Sequence, residues 1–325
     1  VDLPGYGTQL YWDRRIVADD AEGRYRSRAE ERAGAGCRNI EGEIRRLHMR
    51  PLHTTLSTVL APARIERLRE ALFKGAPLAQ EFFIDLEAGY RRFLQQAAEE
   101  FAPESLPADR EVLINRTVAD SLKQIVRIAT LDLETETEEE GIAGPRGFLQ
   151  RGLEMRSEAA LILTAWTLIE HIGATFGKPE DPEYSSSLID EWHLGAALRE
   201  IFHDAGLAEE KANYGVELIK LLTSFQDWEQ ELQGHPDNTF LTAALHREEF
   251  QRFLLVNRYD HILWFNKDRF EDFLWWLFCI AVLRIPSSKG STDREQLLFE
   301  RITGWLALEE ASGYQMLKLI ELLEP

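Results

Sequence analysis

The residues best suited to chemistry are carboxylates and histidines spaced to share a helix face. Glu200 and His203 form a Glu-x-x-His pair, and Asp190 precedes His193 at the same interval. Residues three apart are neighbours on a helix, so each pair could offer an oxygen and a nitrogen ligand to one metal ion. Helical di-iron sites need two such motifs and two further Glu residues. One Glu-x-x-His match in a Glu-rich helix therefore indicates a solvated helix face more often than a metal site.

The His203-Asp204 pair also matches the His-Asp signature of metal-dependent phosphohydrolases, whose fold is all-helical. His171 and Asp227 would then supply the outer ligands. Their spacing is ordinary, however, and His171 follows an apolar run in which a hydrogen-bonded structural histidine is commoner than a ligand. A helical metal-dependent hydrolase is kept as the alternative function, with metal ligands drawn from His171, His193, Glu200, His203 and Asp204.

Tryptophan rings offer a third kind of chemistry, stacking against sugars. Trp275 and Trp276 lie in a helical stripe, where tryptophan more often belongs to the core. Trp264 differs, because polar and aromatic residues surround it in the sequence. We predict a sugar contact there, formed by Tyr259, His261, Trp264 and Asn266. The alternative is that Trp264 packs against the start of the helix that follows it.

Other motifs that would carry catalysis or nucleotide binding do not occur. The chain has no Gly-x-Ser-x-Gly elbow, no Gly-x-Gly-x-x-Gly and no Walker loop. Six acidic residues fall within 132–140, but their spacing lacks the EF-hand pattern, and like charges this dense favour a solvated loop. We predict no catalytic residue and no cofactor.

The amino-acid composition limits the classes of partner that the chain is expected to bind. The net charge is −19, and residues 1–60 are nearly neutral, so the acidic excess falls on residues 61–325. That excess opposes binding to nucleic acid and to anionic lipid. The longest apolar run, Phe273–Leu283, is half the length of a membrane span and predicts a buried helix. Only two cysteines occur, which favours a reducing cytoplasm over a disulfide framework.

The elements that must position these residues are helices. Apolar residues recur at helical spacing from Pro62 onward, and the first helix is expected to stop at Gly75. A helix is predicted over 147–176, and between Ala159 and Ile169 it is apolar almost all round, which predicts that it runs through the centre of the core. Ser187 and Asp190 resemble a capping box for a helix that Gly206 closes.

These patterns predict an all-α fold, a multi-helix bundle-like assembly with an irregular N-terminal arm. The arm is expected over residues 1–60 and the helical domain over 61–325, with a candidate subdivision near 132–147.

One region resembles a known family. The segments 256–259 (Val-Asn-Arg-Tyr), 263–267 (Leu-Trp-Phe-Asn-Lys), 270–271 (Phe-Glu) and 274–277 (Leu-Trp-Trp-Leu) resemble a stretch late in very large bacterial proteins of the alpha-amylase superfamily of glycoside hydrolases. In that family the stretch lies in a helix-rich region outside the catalytic barrel. The family's chemistry needs a nucleophilic Asp, an acid/base Glu and a further Asp on a (β/α)₈ barrel, and none of the three can be placed in this sequence.

The resemblance implies an accessory helical region, without catalysis of its own, in an alpha-amylase-like glycan-active protein. Its expected roles are packing, oligomerisation or weak sugar contact. Expected partners are an alpha-glucan or other domains of a larger polypeptide, and a chain that starts at Val1 fits an excised piece.

Overall fold

A computed structural model describes residues 47–74, 78–101, 158–176, 182–226, 238–285 and 291–324, together with positions 26, 30, 42, 45, 118, 120–125, 128, 131, 228 and 229. The chain divides into two compact units, Val1–Thr54 and Thr55–Pro325. The acidic run at 132–140, the candidate subdivision near 132–147 and Asp227 lie outside the described residues.

Helices carry nearly all of the described residues, and the all-α prediction is confirmed. In chain order the helices are α1 Arg50–Val59, α2 Pro62–Lys74, α3 Gln80–Phe101, α4 Glu158–Ile169, α5 Ile172–Thr175, α6 Pro182–Glu191, α7 Leu194–Asp204, α8 Glu209–Ser224, α9 Thr239–His246, α10 Glu248–Phe253, α11 Lys267–Arg284, α12 Ser291–Ser312 and α13 Met316–Leu323. In this described part the only strands are β1 Asn257–Tyr259 and β2 Ile262–Trp264, between α10 and α11.

Helix α1 occupies residues that the sequence had placed in the irregular arm. Leu52, Leu56 and Val59 repeat at helical spacing, and all three are buried. Pro51 falls in the first turn, where its missing N–H has no helical partner to lose.

Two helices are buried around their whole circumference. Every residue of α4 is buried, and so is every residue of α11 from Phe273 to Leu283. The prediction of a core helix over this apolar run is therefore confirmed, as is the core assignment of Trp275 and Trp276. No helix in the described residues is long and apolar enough to span a bilayer.

Helices α2, α8 and α12 pack on these two. Helix α8 contacts α4, α6, α7, α10 and α11, and α2 also packs on α4. Helix α12 packs on α11, and α13 contacts α12, α9 and β2. This arrangement places the hairpin beside α13, at the N-terminal end of α11.

The helix predicted over 147–176 is broken at Glu170 and His171, between α4 and α5. The hydroxyl of Ser185 satisfies the backbone at this break, because it donates to Glu170 O and accepts from Gly173 N, both at 3.0 Å. A Cβ atom at Gly173 would lie 2.5 Å from Ser185 Oγ. Glycine is thus required for the close approach of α5 to α6.

The capping box predicted at Ser187 and Asp190 is wrong, because both residues lie inside α6, which begins at Pro182. The Ser187 hydroxyl donates to Tyr184 O within the same helix. His193, with φ of 51°, then separates α6 from α7, and Gly206 ends α7 with φ of 86° as expected. The single helix predicted here is therefore two helices.

A partly buried ionic network links the end of α4, α11 and the short turn at 228–229. The Glu170 side chain is fully buried, 3.3 Å from His171 Nε2 and 4.0 Å from Arg284 Nε. Arg284 Nη1 lies 3.4 Å from Glu229 Oε1. Burial, and then the nearby Glu170 carboxylate, raise the pKa of Tyr90 on α3. The C-terminal end of α11 is thus fixed by charge as well as by packing.

Candidate binding site

The hairpin β1–β2 is the only sheet in the part of the chain that the structure describes. Tyr259 pairs with Ile262 across a two-residue turn, Asp260-His261. Both turn residues have positive φ, 49° and 66°. Turns of this kind favour Asn-Gly or Asp-Gly, since most side chains in the left-handed region cost about 1–2 kcal/mol each. A histidine at the second position therefore keeps the turn strained.

Backbone strain concentrates around this hairpin. Among the described residues other than glycine, five have positive φ, and four of them lie in or beside the hairpin: Leu255, Asp260, His261 and Tyr314. Phe265 N donates to Tyr314 O at 3.2 Å, and Asn266 N donates to Leu254 O at 2.9 Å. Strained residues persist only where their surroundings fix them, and they cluster at ligand-binding sites. The hairpin is for this reason the first candidate for a functional site.

The strand register places the two hairpin rings on one face. Asn257 pairs with Trp264 and Tyr259 with Ile262, so these four side chains share a face, and those of Arg258 and Leu263 share the other. Tyr259 is 75% exposed and Trp264 is half-buried. Trp264 Nε1 donates to Tyr259 O at 3.4 Å, which ties the second ring to the first strand. We call Asn257, Tyr259 and Trp264 the hairpin platform.

Of the four residues predicted to contact sugar, Tyr259 and His261 are exposed, and Trp264 and Asn266 are half-buried. Asn266 caps α11, because its Oδ1 accepts from Arg269 N at 2.9 Å. Asn257 is one of the polar residues near Trp264 in the sequence but is not among the four predicted contacts. Only the pairing register, which places Asn257 opposite Trp264, brings this amide to the two rings.

The turn between α12 and α13 supports the second strand of the hairpin. Trp264 forms an isolated bridge with Gln315. Ser312 Oγ donates to Glu309 O at 2.6 Å and accepts from Tyr314 N at 3.1 Å. The ammonium of Lys267 lies 5.3 Å from the centre of the Tyr314 ring, and hydrogen bonding to Tyr314 raises the pKa of Lys267. The anchor of the hairpin therefore joins α11 to the α12–α13 turn.

A buried carboxyl group lies next to this anchor. Glu309 is 2% exposed, and its Oε1 has no hydrogen-bond partner among the described residues. Burial raises the pKa of Glu309 to about 8. The neighbouring carboxylates of Glu271, Glu310 and Asp268 add to this effect, and the ammonium of Lys267 opposes it. Glu309 is therefore protonated over most of the pH range in which its neighbours are charged.

Glu309→Gln is expected to raise the free energy of unfolding by about 1–3 kcal/mol near pH 9 and to change it little near pH 4.5. The pKa of Glu309 lies above its ordinary value of 4.5 in the folded state, so the folded chain holds more protons than the unfolded chain. Stability must then fall as the pH rises from about 4.5 to about 8, and the neutral amide removes this fall. Urea unfolding at several pH values measures it.

Glu310→Gln provides the control, because Glu310 is the exposed neighbour of Glu309 and undergoes the same chemical substitution. It should alter stability by no more than about 0.5 kcal/mol at either pH. Equal pH profiles for Glu309→Gln and the wild-type chain would contradict the assignment of a buried neutral carboxyl group.

The alternative metal ligands do not converge. His171 lies at the α4–α5 break, His193 between α6 and α7, and His203 near the end of α7, where its Nδ1 is 3.1 Å from Leu207 O. Glu200 and Asp204 lie on α7 and are exposed. Among the described residues, no three His, Cys, Asp or Glu side chains are placed to hold a metal ion. The five residues are therefore divided among the α4–α5 break, the α6–α7 junction and α7.

Comparison with known proteins adds no assignment: no family model matches the chain, and no curated protein or solved structure is significantly similar to it.

Proposed function

We propose that this chain is an accessory, non-catalytic helical region of an alpha-amylase-like glycan-active protein, and that it contacts an alpha-glucan weakly through the hairpin platform. The observation that carries the proposal is the exposed Tyr259 ring, on the same face of a strained hairpin as Trp264 and Asn257. Aromatic rings suit the apolar faces of sugars, and an amide can bond to hydroxyl groups.

The chemistry of the platform fits binding better than catalysis. The face that carries the rings holds an amide and two aromatic side chains but no carboxylate. Glycoside cleavage requires two carboxyl groups on either side of the scissile bond. Residues 256–277 resemble a region that lies outside the catalytic barrel in the amylase family. This resemblance also supports a binding role rather than a catalytic one.

The expected affinity for maltoheptaose is low, with a Kd on the order of 1 mM, because a platform of two rings offers little contact area. Tyr259→Ala and Trp264→Ala should each weaken binding about fivefold or more, since the loss of one stacking ring costs about 1 kcal/mol. Saturation-transfer NMR with a titration of maltoheptaose measures both effects on the purified chain.

Arg258→Ala is the matched control, because Arg258 lies on the same hairpin with its side chain on the opposite face. Its Kd should equal that of the wild type. Binding that is absent, or identical in all four proteins, would rule out the platform. Incubation with maltodextrin should release no reducing ends, and turnover that survives repurification would overturn the non-catalytic assignment.

A further inference from the structure

A cleft of about 380 Å³ lies between α6, α8 and α10, separate from the hairpin platform in the residues that line it. Its floor is apolar, formed by Leu221 and Phe253, which are both buried. Hydroxyl groups of Ser186, Ser187 and Ser224 line the walls. Charged side chains from all three helices surround the opening. An apolar floor with converging polar groups is the usual composition of a small-molecule site.

Arg247 presents an oriented guanidinium to this cleft. The group stacks over the Phe225 ring, 5.0 Å from its centre. Its nitrogens lie 3.5 Å from Glu183 Oε1 and 3.9 Å from Glu249 Oε2, and its side chain makes no hydrogen bond within the described residues. The Phe225 ring therefore positions the guanidinium at the cleft, where its present partners are these two long ion pairs. A guanidinium held in this way matches the two oxygens of a carboxylate.

The serine hydroxyls face a ligand as acceptors. Ser186 Oγ and Ser224 Oγ both donate to Lys220 O, at 3.5 and 3.2 Å, and Ser187 Oγ donates to Tyr184 O at 2.9 Å. Each hydroxyl has one hydrogen, so its remaining capacity is to accept. These oxygens therefore suit the N–H groups of a ligand rather than its anionic end.

The charges around the cleft are nearly balanced. Three cations, Lys220, Arg247 and Arg252, face four carboxylates, those of Glu183, Asp190, Glu217 and Glu249. Lys220 is already paired with Asp190, Arg247 forms long ion pairs with Glu183 and Glu249, and Glu217 lies 3.9 Å from Arg269. A simple anion would gain the guanidinium but would also meet this excess of carboxylates, and a simple cation would meet the two arginines. A ligand that carries both charges can satisfy both sets.

We propose that the α6–α8–α10 cleft binds a small zwitterion of the peptide class, a free amino acid or dipeptide. Its carboxylate bonds to the guanidinium of Arg247, its ammonium lies among the carboxylates and serine oxygens, and an apolar side chain packs on Leu221 and Phe253. This site is independent of the sugar contact proposed above, because no residue lining the cleft belongs to the hairpin.

Calorimetric titration with L-alanyl-L-leucine tests the site. The dipeptide is expected to saturate the wild-type chain, and its N-acetylated and C-amidated forms, each lacking one charge, should bind at least tenfold more weakly. Arg247→Lys keeps the positive charge but removes the planar guanidinium that can donate two hydrogen bonds to one carboxylate. This variant should also weaken binding at least tenfold. The matched control is Arg258→Lys on the hairpin, whose Kd should not change.

Three outcomes would overturn the proposal. The first is no saturable binding of the dipeptide up to about 10 mM, roughly the weakest affinity that such a site could use. The second is equal affinity for the N-acetylated form, which would remove the role of the ammonium. The third is tighter binding of inorganic phosphate than of the dipeptide, which would make the cleft an anion site. If Arg247→Lys fails to fold, the blocked dipeptides decide the question on the wild-type chain.

Discussion

Replacing Arg284 with methionine is expected to lower the free energy of unfolding by about 3–5 kcal/mol, the usual cost of removing one partner from a buried ion pair. Arg284 lies between the carboxylates of Glu170 and Glu229, and Glu170 is fully buried. Methionine fills a similar volume but leaves the buried carboxylates without this counter-charge. Urea unfolding at pH 7 measures the loss.

Adding Glu170→Gln to Arg284→Met should restore part of the lost stability, because a neutral amide needs no counter-ion. The control is Arg294→Met on the exposed surface of α12, which should change the free energy of unfolding by no more than about 0.5 kcal/mol. If Arg284→Met costs as little as Arg294→Met, the network does not stabilise the fold. If the double variant is no more stable than Arg284→Met alone, the unpaired charge of Glu170 is not the cause of the loss in stability.

Leu277→Ala is expected to cost about 2–5 kcal/mol, the range found when a buried leucine site is emptied. Leu277 is 0% exposed at the centre of α11, and its neighbours in the helix are buried on every side. The hydrogen bond from Trp228 Nε1 to Leu277 O, 3.1 Å long, involves the backbone and should survive the substitution. The cost therefore reports packing alone.

Leu297→Ala gives the matched comparison, since Leu297 is 63% exposed on α12. It should change stability by less than about 0.5 kcal/mol. A cost below about 1 kcal/mol for Leu277→Ala would mean that α11 does not form the centre of the core.

Elements fixed by local signals were predicted well. Helix α2 covers Pro62–Lys74, between the proline that suits a first turn and the predicted stop at Gly75. The apolar run at 273–283 was long enough for a helix and too uniform for a solvent-facing one, so α11 followed from the sequence. In both cases the residues themselves decide the structure.

Features that depend on contacts between distant residues were not predicted. The break at Glu170 requires Ser185, fifteen residues away, to replace the helical hydrogen bonds. The hairpin was missed because its Asp260-His261 turn lacks the glycine that marks such turns. The network around Arg284 joins residues more than fifty positions apart in the chain.

The residues of the two candidate sites also differ in whether local sequence or distant contacts bring them together. Local composition around Trp264 was enough to propose Tyr259 and His261 as sugar contacts, because the three lie within six residues of one another. The contribution of Asn257 needed the strand register. The cleft that contains Arg247 needed the packing of α6, α8 and α10, which no local pattern encodes.

The partial exposure of Trp264 has an optical consequence. Of the seven tryptophans in the described residues, six are buried: Trp166, Trp192, Trp228, Trp275, Trp276 and Trp305. An indole in contact with water emits at longer wavelength than a buried one and is open to collisional quenching by acrylamide. Within this described set, the quenchable, red-shifted emission therefore comes from the hairpin. Among these seven tryptophans, Trp264 is therefore an intrinsic fluorescent reporter for the platform, and no label has to be attached.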